Sequence, residues 1–151
     1  MANAEIHVIG PNEHELLATL YNQILRPPVE AGFFKRRFEG RRDTMALIAD
    51  LEKVPVGFLT GYELRPSTYY LWLCGVLPDA RRLGVASQLM QAAQVRVAER
   101  GYEMMRFECL NQARPMLHVA IRDGFDIVGI RWDARNLTNL VIFEKVLAER
   151  R

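Results

Sequence analysis

Two cysteines, Cys74 and Cys109, are all that this 151-residue chain contains. Each sits in an apolar run that reads as a buried strand, so a disulfide framework is excluded. A reducing compartment, the cytoplasm, is the expected location. An excess of one charge is also missing. Lys plus Arg number 20 against 18 Asp plus Glu, for a net charge of +2. Nothing in that balance demands a polyanion, and neither nucleic acid nor a membrane is expected as a partner. No apolar run approaches the roughly 20 residues that a membrane-spanning helix needs. The first residues, Met1 to Glu5, have no charged segment leading into an apolar one, as a signal peptide would. Repeats, low-complexity tracts and linkers are absent too, so residues 1–151 read as one domain. What is present is a large apolar share, 50% of the residues, enough to build a substantial core.

Along the chain, Glu5 to Ile9 reads as a short strand closed by Gly10-Pro11. Asn12, with Glu15 three residues on, resembles a capping box. Behind it Leu16, Leu17, Leu20, Tyr21, Ile24 and Leu25 recur at helical spacing, and Pro27-Pro28 stops the helix. Val29 to Arg42 mixes phenylalanines with Lys35, Arg36, Arg37, Arg41 and Arg42, and reads as a short helix and loop. Thr44 to Leu51 and Val54 to Leu64 are strands joined by a turn at Glu52-Lys53. Tyr69 to Leu77 is apolar on both faces, as a central strand should be. Gly84 to Arg100 is an amphipathic helix with Gly101 at its C-cap. Tyr102 to Leu110 is a strand and Pro115 to Asp123 a short helix followed by Gly124. Phe125 to Trp132 and Leu137 to Leu147 form a closing strand pair. The order of elements predicts an α/β or α+β domain, one sheet with helices on both faces.

The chemistry concentrates between Leu71 and Arg100. A buried strand ends at Cys74-Gly75-Val76-Leu77-Pro78, a turn follows through Arg81-Arg82-Leu83, and the helix opens with Gly84-Val85-Ala86-Ser87. The first turn of a helix has free N–H groups and the positive end of its dipole. Gly84 and Ala86 would let those groups approach phosphate oxygens, and Arg81 and Arg82 would add cations at the rim. By spacing alone, an ordinary strand-turn-helix with a glycine easing the turn remains equally open.

Arg81-Arg82-Leu83-Gly84-Val85-Ala86 resembles the Arg/Gln-x-x-Gly-x-Gly/Ala signature of the GNAT N-acetyltransferases. Gly124-Phe125, forty residues beyond Gly84, is similar to the Gly-Phe that follows the family's penultimate helix. The order of elements agrees along nearly the whole chain. The resemblance implies a mostly antiparallel, twisted sheet of six to seven strands. Its fourth and fifth strands would part in a V that holds the pantetheine arm of acetyl-CoA, the co-substrate. The same resemblance implies cofactor contacts from the N–H groups of Cys74 and Val76, and a diphosphate held by Arg81, Arg82, Leu83, Gly84, Val85, Ala86 and Ser87. Gly75 is expected to bulge where the strands separate. Asn111 would hydrogen-bond cofactor or substrate, near Arg114, Pro115 and Met116. No metal is expected. An amine, in a small molecule or a peptide, would be the acceptor, and homodimers are common in proteins resembling this one.

Transfer to an amine needs a base or a desolvating tunnel, because a lysine-like amine has a pKa of about 10.4. Glu108, near the end of the fifth strand, is the leading candidate; a solvated or salt-bridged strand glutamate is the plain alternative. An oxyanion donor near Val76 is a further expectation. The resemblance places a tyrosine four residues before the Gly-Phe, where this chain has Ala120. The family's asparagine would fall at Ala113. His118 would point away from the tyrosine position, and Tyr69, Tyr70 and Tyr102 are unplaced alternatives. Cys74 and Cys109 read as inert thiols. The basic stretch from Phe33 to Arg42 reads mainly as a solvated amphipathic helix, with Glu30 a candidate to face the amine. Two further readings stand beside acyl transfer: an acyl-CoA sensor without chemistry, and nucleic-acid binding through Lys35 to Arg42.

Overall fold

The computed structural model describes residues 3–10 and 13–147. Asn12, the expected helix cap, lies outside them. In chain order the elements are β1 (Glu5–Val8), α1 (His14–Ile24), α2 (Ala31–Phe38), β2 (Met45–Leu51), β3 (Val54–Arg65) and β4 (Thr68–Val76). After a 3-10 turn at Pro78–Ala80 come α3 (Val85–Glu99), β5 (Met104–Leu110), α4 (Arg114–Arg122), β6 (Asp126–Asp133) and β7 (Thr138–Val146). The strands form one seven-stranded sheet in the order β1-β2-β3-β4-β5-β7-β6. Every neighbouring pair is antiparallel except β4 and β5. The expected fold class, a mostly antiparallel sheet with helices on both faces, is therefore the one observed.

Successive side chains of a strand point to opposite faces, so a strand covered on both sides must be apolar throughout. β2 meets that requirement. Met45, Leu47 and Ala49 join the core under α3, with Val85, Leu89, Met90, Ala93 and Val97. Ala46 and Ile48 face the other way, toward Leu17 and Leu20 of α1 and Phe34 of α2. Here Tyr21, Phe33, Phe34, Phe58 and Trp72 form a chain of ring contacts with centroids 5.2–6.4 Å apart. Such pairs contribute about 0.5–1.5 kcal/mol each beyond the area they bury. They fasten α2 to the sheet.

Glycines end two helices in the same way. Gly101 adopts φ +88° and Gly124 φ +89°. The amide of Gly101 donates to Ala98 O and that of Tyr102 to Val97 O; Gly124 and Phe125 repeat the pattern on Ile121 and Ala120. These paired bonds satisfy the last helical carbonyls and need a residue at positive φ. Both following aromatics, Tyr102 and Phe125, then enter the core. The Gly-Phe pair is thus a helix stop that anchors a strand start.

The bulge lies elsewhere than expected. Leu71 pairs with Gly61 and Leu73 with Thr60, leaving Trp72 as the extra residue. Gly75 instead pairs regularly with Phe58. A Cβ there would sit 3.0 Å from the Phe58 ring of β3 and 3.2 Å from Ile24 of α1, so both close contacts together account for this glycine. Gly61 is the glycine tied to the bulge, since its Cβ would come within 2.7 Å of the Tyr69 ring and 2.8 Å of Tyr70 O.

Gly61→Ala is expected to destabilise the fold by about 1–3 kcal/mol, the usual cost of overpacking. Gly10→Ala, which meets nothing within 4 Å, should stay within about 0.5 kcal/mol of wild type. Urea unfolding of the two variants checks this; equal midpoints would refute the close packing at Gly61.

Candidate functional site

β4 and β5 are paired only from Thr68/Met104 to Leu71/Phe107. Beyond that point β4 stays with β3 up to Val76, opposite Gly57, while β5 stays with β7 up to Leu110, opposite Leu140. The two strands part, and each keeps one edge without a strand partner. Antiparallel pairing fixes which groups face the gap. The Leu77 amide donates to Val56 O at 2.7 Å, on the β3 side. Alternation then turns the N–H and C=O of Val76 and Cys74 toward the gap. One of these groups is engaged: Arg81 Nε donates to Val76 O at 3.2 Å.

The gap leads to the start of α3. Gly84 caps that helix at φ 80°, ψ 12°, and Arg82 precedes it at φ +68°. The first helical bond runs from Gln88 N–H to Gly84 O, so the amides of Val85, Ala86 and Ser87 come before the helical ladder begins. Arg81, Arg82 and Leu83 are exposed and Ala86 is half-buried, whereas Val85 points into the core. Ser87 turns its hydroxyl inward, accepting from Arg122 Nη2 at 2.8 Å beside Asp123. Its side chain joins α3 to α4.

Glu108 projects from β5 just past the parting of the strands. Its carboxylate is held at both oxygens: Tyr70 Oη donates to Oε2 at 2.9 Å and Arg131 Nε to Oε1 at 2.9 Å. Burial, followed by the charge and hydrogen bond of Glu108, raises the Tyr70 pKa above the ordinary phenol range. Tyr70 therefore remains a proton-bearing donor at neutral pH. Glu108, Tyr70 and Arg131 line a cleft of about 510 Å³ together with Arg37, Arg41 and Arg106.

The remaining candidates divide clearly. Tyr69 donates to Asp43 O at 2.7 Å, and Tyr102 bonds the carboxylates of Asp43 and Glu63, so neither hydroxyl joins Glu108. Ala120 is fully buried. His118 is exposed on α4, and Asn111 is exposed in the turn after β5, its amide bonded to Asn139 O. Glu30 lines neither of the two clefts on this face and pairs with Arg36 at 3.0 Å on the surface. Burial pushes the Cys74 thiol up to about 12 and Cys109 up to about 11, which suits unreactive thiols. Both cysteines are free. Among the described residues no cluster of three or more His, Cys, Asp or Glu side chains could hold a metal ion.

Tyr70 and Arg131 are the site residues that sequence reasoning left unassigned. Register across the sheet unites Tyr70, Glu108 and Arg131, and no short motif records it. Arg37 and Arg41 are exposed, in keeping with the solvated stretch expected there, and each also rests on a ring at the cleft. Arg37 lies 4.5 Å over the Trp72 ring and Arg41 4.5 Å over the Tyr62 ring, both turned to the cleft.

Known proteins share both the sequence pattern and the fold. The family model described as Acetyltransferase (GNAT) family matches residues 13–125. A 57-residue segment is 44% identical to the L-2,4-diaminobutyric acid acetyltransferase of Chromohalobacter salexigens, covering 36% of this chain and 30% of that protein. Among solved structures, the ribosomal-protein-S18-alanine N-acetyltransferase of Escherichia coli superposes with a TM-score of 0.85 at 13% identity, over 99% of this chain and 97% of that one. Ard1 of Thermoplasma volcanium gives 0.84 at 18% identity, over 97% and 99%. The structure of yncA from Salmonella typhimurium with its cofactor acetyl-CoA gives 0.78 at 14% identity, over 97% and 95%. At these identities the structural matches speak for the fold, and the family model adds the sequence: the chain belongs to the GNAT acetyltransferase family.

Proposed function

We propose that this protein transfers the acetyl group of acetyl-CoA directly to an amine, without an acyl-enzyme intermediate. The parting of β4 from β5 directly beside a held carboxylate carries the reading. The opened edge offers the amides of Cys74 and Val76 to a pantetheine arm. The turn and helix start from Arg82 to Ser87 offer N–H groups to a diphosphate, with Arg81 and Arg82 as cations at the rim. Asn111 is assigned a hydrogen bond to cofactor or substrate.

In the chemical step Glu108 takes a proton from the acceptor ammonium, directly or through a water. The neutral amine forms the C–N bond at the thioester carbon, and the oxygen takes up the displaced electron pair, facing a donor at the β4 edge near Val76. Collapse re-forms the carbonyl and breaks the C–S bond. The thiolate leaves and takes the second proton of the amine nitrogen, directly or through a water, while Glu108 releases the first to solvent. Tyr70 holds the Glu108 carboxylate in place throughout. The inert cysteines favour direct transfer over a covalent relay.

The relative that acts on L-2,4-diaminobutyric acid supports an amine on a small molecule as the acceptor, with a peptide amine as the other source. Two free thiols, Cys109 buried and Cys74 half-buried, support a cytoplasmic location. No described helix is long and apolar enough to cross a membrane. We further propose one domain over residues 1–151 and a homodimer, with nucleic acid and membrane outside its partners. Ile127, Val128, Ile130 and Trp132, each more than half exposed on the edge strand β6, support the dimer.

Titration calorimetry with CoA should give saturable heat. Arg81→Gln/Arg82→Gln should weaken the affinity and flatten its salt dependence. Absence of binding by wild type would remove the proposal. With an accepted amine, Glu108→Gln is expected to lower kcat by about 10²–10⁴ and to change the pH–rate profile, whereas CoA affinity is retained. An unaltered profile would dismiss Glu108 as the base. Tight CoA binding with no turnover across amines and peptides would favour the sensor instead.

A further inference from the structure

The cleft that holds Glu108 is unusually cationic. Arg37, Arg41, Arg65, Arg106 and Arg131 all line it, against the single carboxylate of Glu108. Neighbouring Glu144 neutralises part of this charge, lying 3.1 Å from Arg106 and 3.9 Å from Arg65. Glu108 pairs with Arg131. Arg37 and Arg41 have no carboxylate partner among the described residues. They also line a second cleft of about 310 Å³ with Phe33, Arg36 and Glu39, whose carboxylate forms no ion pair with either of them.

Both side chains are exposed and each rests on a ring. Arg37 Cζ lies 4.5 Å from the Trp72 ring centroid and Arg37 donates to Tyr62 Oη at 3.3 Å; Arg41 Cζ lies 4.5 Å from the Tyr62 centroid. Tyr62 in turn packs on Tyr70 with ring centroids 5.5 Å apart, and Tyr70 holds Glu108. A contiguous aromatic path therefore joins the two unpaired guanidiniums to the proposed base. A guanidinium held against a ring still has N–H donors to spare, and its fork can grip a carboxylate with two parallel bonds.

This charge has a consequence for an incoming amine. A bare diamine or polyamine brings only positive charge into a cleft with a cationic surplus. An amine that also carries a carboxylate brings the missing negative charge to Arg37 and Arg41. The same arginines disfavour the ammonium form of its amino group, because a like charge nearby lowers an amine pKa. Such a site would select the acid and help to free its amine.

We propose that Arg37 and Arg41 form a carboxylate-binding subsite, and that the acceptor is an amine bearing a carboxylate. This rests on the acetyl-transfer reading for the fate of the amine but not for the binding itself.

The experiment compares ligands that differ in the carboxylate. Calorimetry on the CoA-saturated protein would use L-lysine against cadaverine and L-ornithine against putrescine. A peptide with Glu at its second position against its Gln counterpart provides the other source of a carboxylate. In at least one pair the acid member should bind about tenfold or more tightly, as charge-assisted bonds to a guanidinium provide. The preference should fall with added salt and disappear in Arg37→Gln/Arg41→Gln, which retains wild-type CoA affinity. Preference in the amino-acid pairs identifies a free amino acid, and in the peptide pair an acidic peptide. Equal binding in every pair, tighter binding of the amine-only or Gln member, no binding by any probe, or a preference that survives the double substitution would each overturn the subsite. Turnover is scored separately. Acid-selective binding without acetylation would leave the subsite standing and remove the catalytic reading; acetylation without acid preference would do the reverse.

Discussion

The architecture depends on one local event, the end of pairing between β4 and β5 after Leu71 and Phe107. Backbone N–H and C=O groups in a sheet are obligatory partners, and a gap between two central strands leaves them open to another occupant. The bulge at Trp72, opposite the contact-limited Gly61, changes the course of β4 where the pairing stops. β3 and β7 hold the two strands on their outer sides, so the opening does not unzip the sheet. An opened edge in an otherwise closed sheet is suited to an extended chain that hydrogen-bonds as a strand does.

Two kinds of recognition meet at that opening. On the α3 side the chain presents main-chain amides and small residues. On the α1–α2 side it presents side chains: Glu108, Tyr70 and the arginines. The first kind tolerates substitution of side chains as long as the backbone keeps its course through Gly84 at φ +80°. The second depends on packing. Arg37 and Arg41 rest on the rings of Trp72 and Tyr62; the phenylalanines of α2 pack on Trp72, and Trp72 packs on Tyr62. The cationic lining of the cleft thus rests on the same aromatic cluster that attaches α2 to the sheet.

The buried Ala120 marks where the chain differs from the pattern the resemblance implied. Its side chain belongs to the core beneath α4, and its carbonyl closes the helix by accepting from Phe125 N–H. The hydroxyl beside Glu108 comes from β4 instead, through Tyr70. The same cleft gathers five arginines around that single carboxylate.

Much of the fold was legible in the order of residues, because local physics writes directly into sequence. Helical periodicity marked α1 and α3, an unbroken apolar run marked the central β4, and glycines at positive φ marked the stops of α3 and α4. The Arg81–Ala86 turn was legible for the same reason: a helix start with small residues is a local property. The bulge was misread at Gly75 because a glycine in a strand has two causes, a bend in its own strand or the approach of another element. Here Phe58 of β3 and Ile24 of α1 press on Gly75, while the bend belongs to Trp72 and Gly61. Only the tertiary structure decided which tyrosine meets Glu108, that Arg131 reaches it from β6, and that Arg37 and Arg41 face a cleft. Those relations arise from strand register and cross-layer packing, which join residues far apart in the chain and leave no fixed spacing to read.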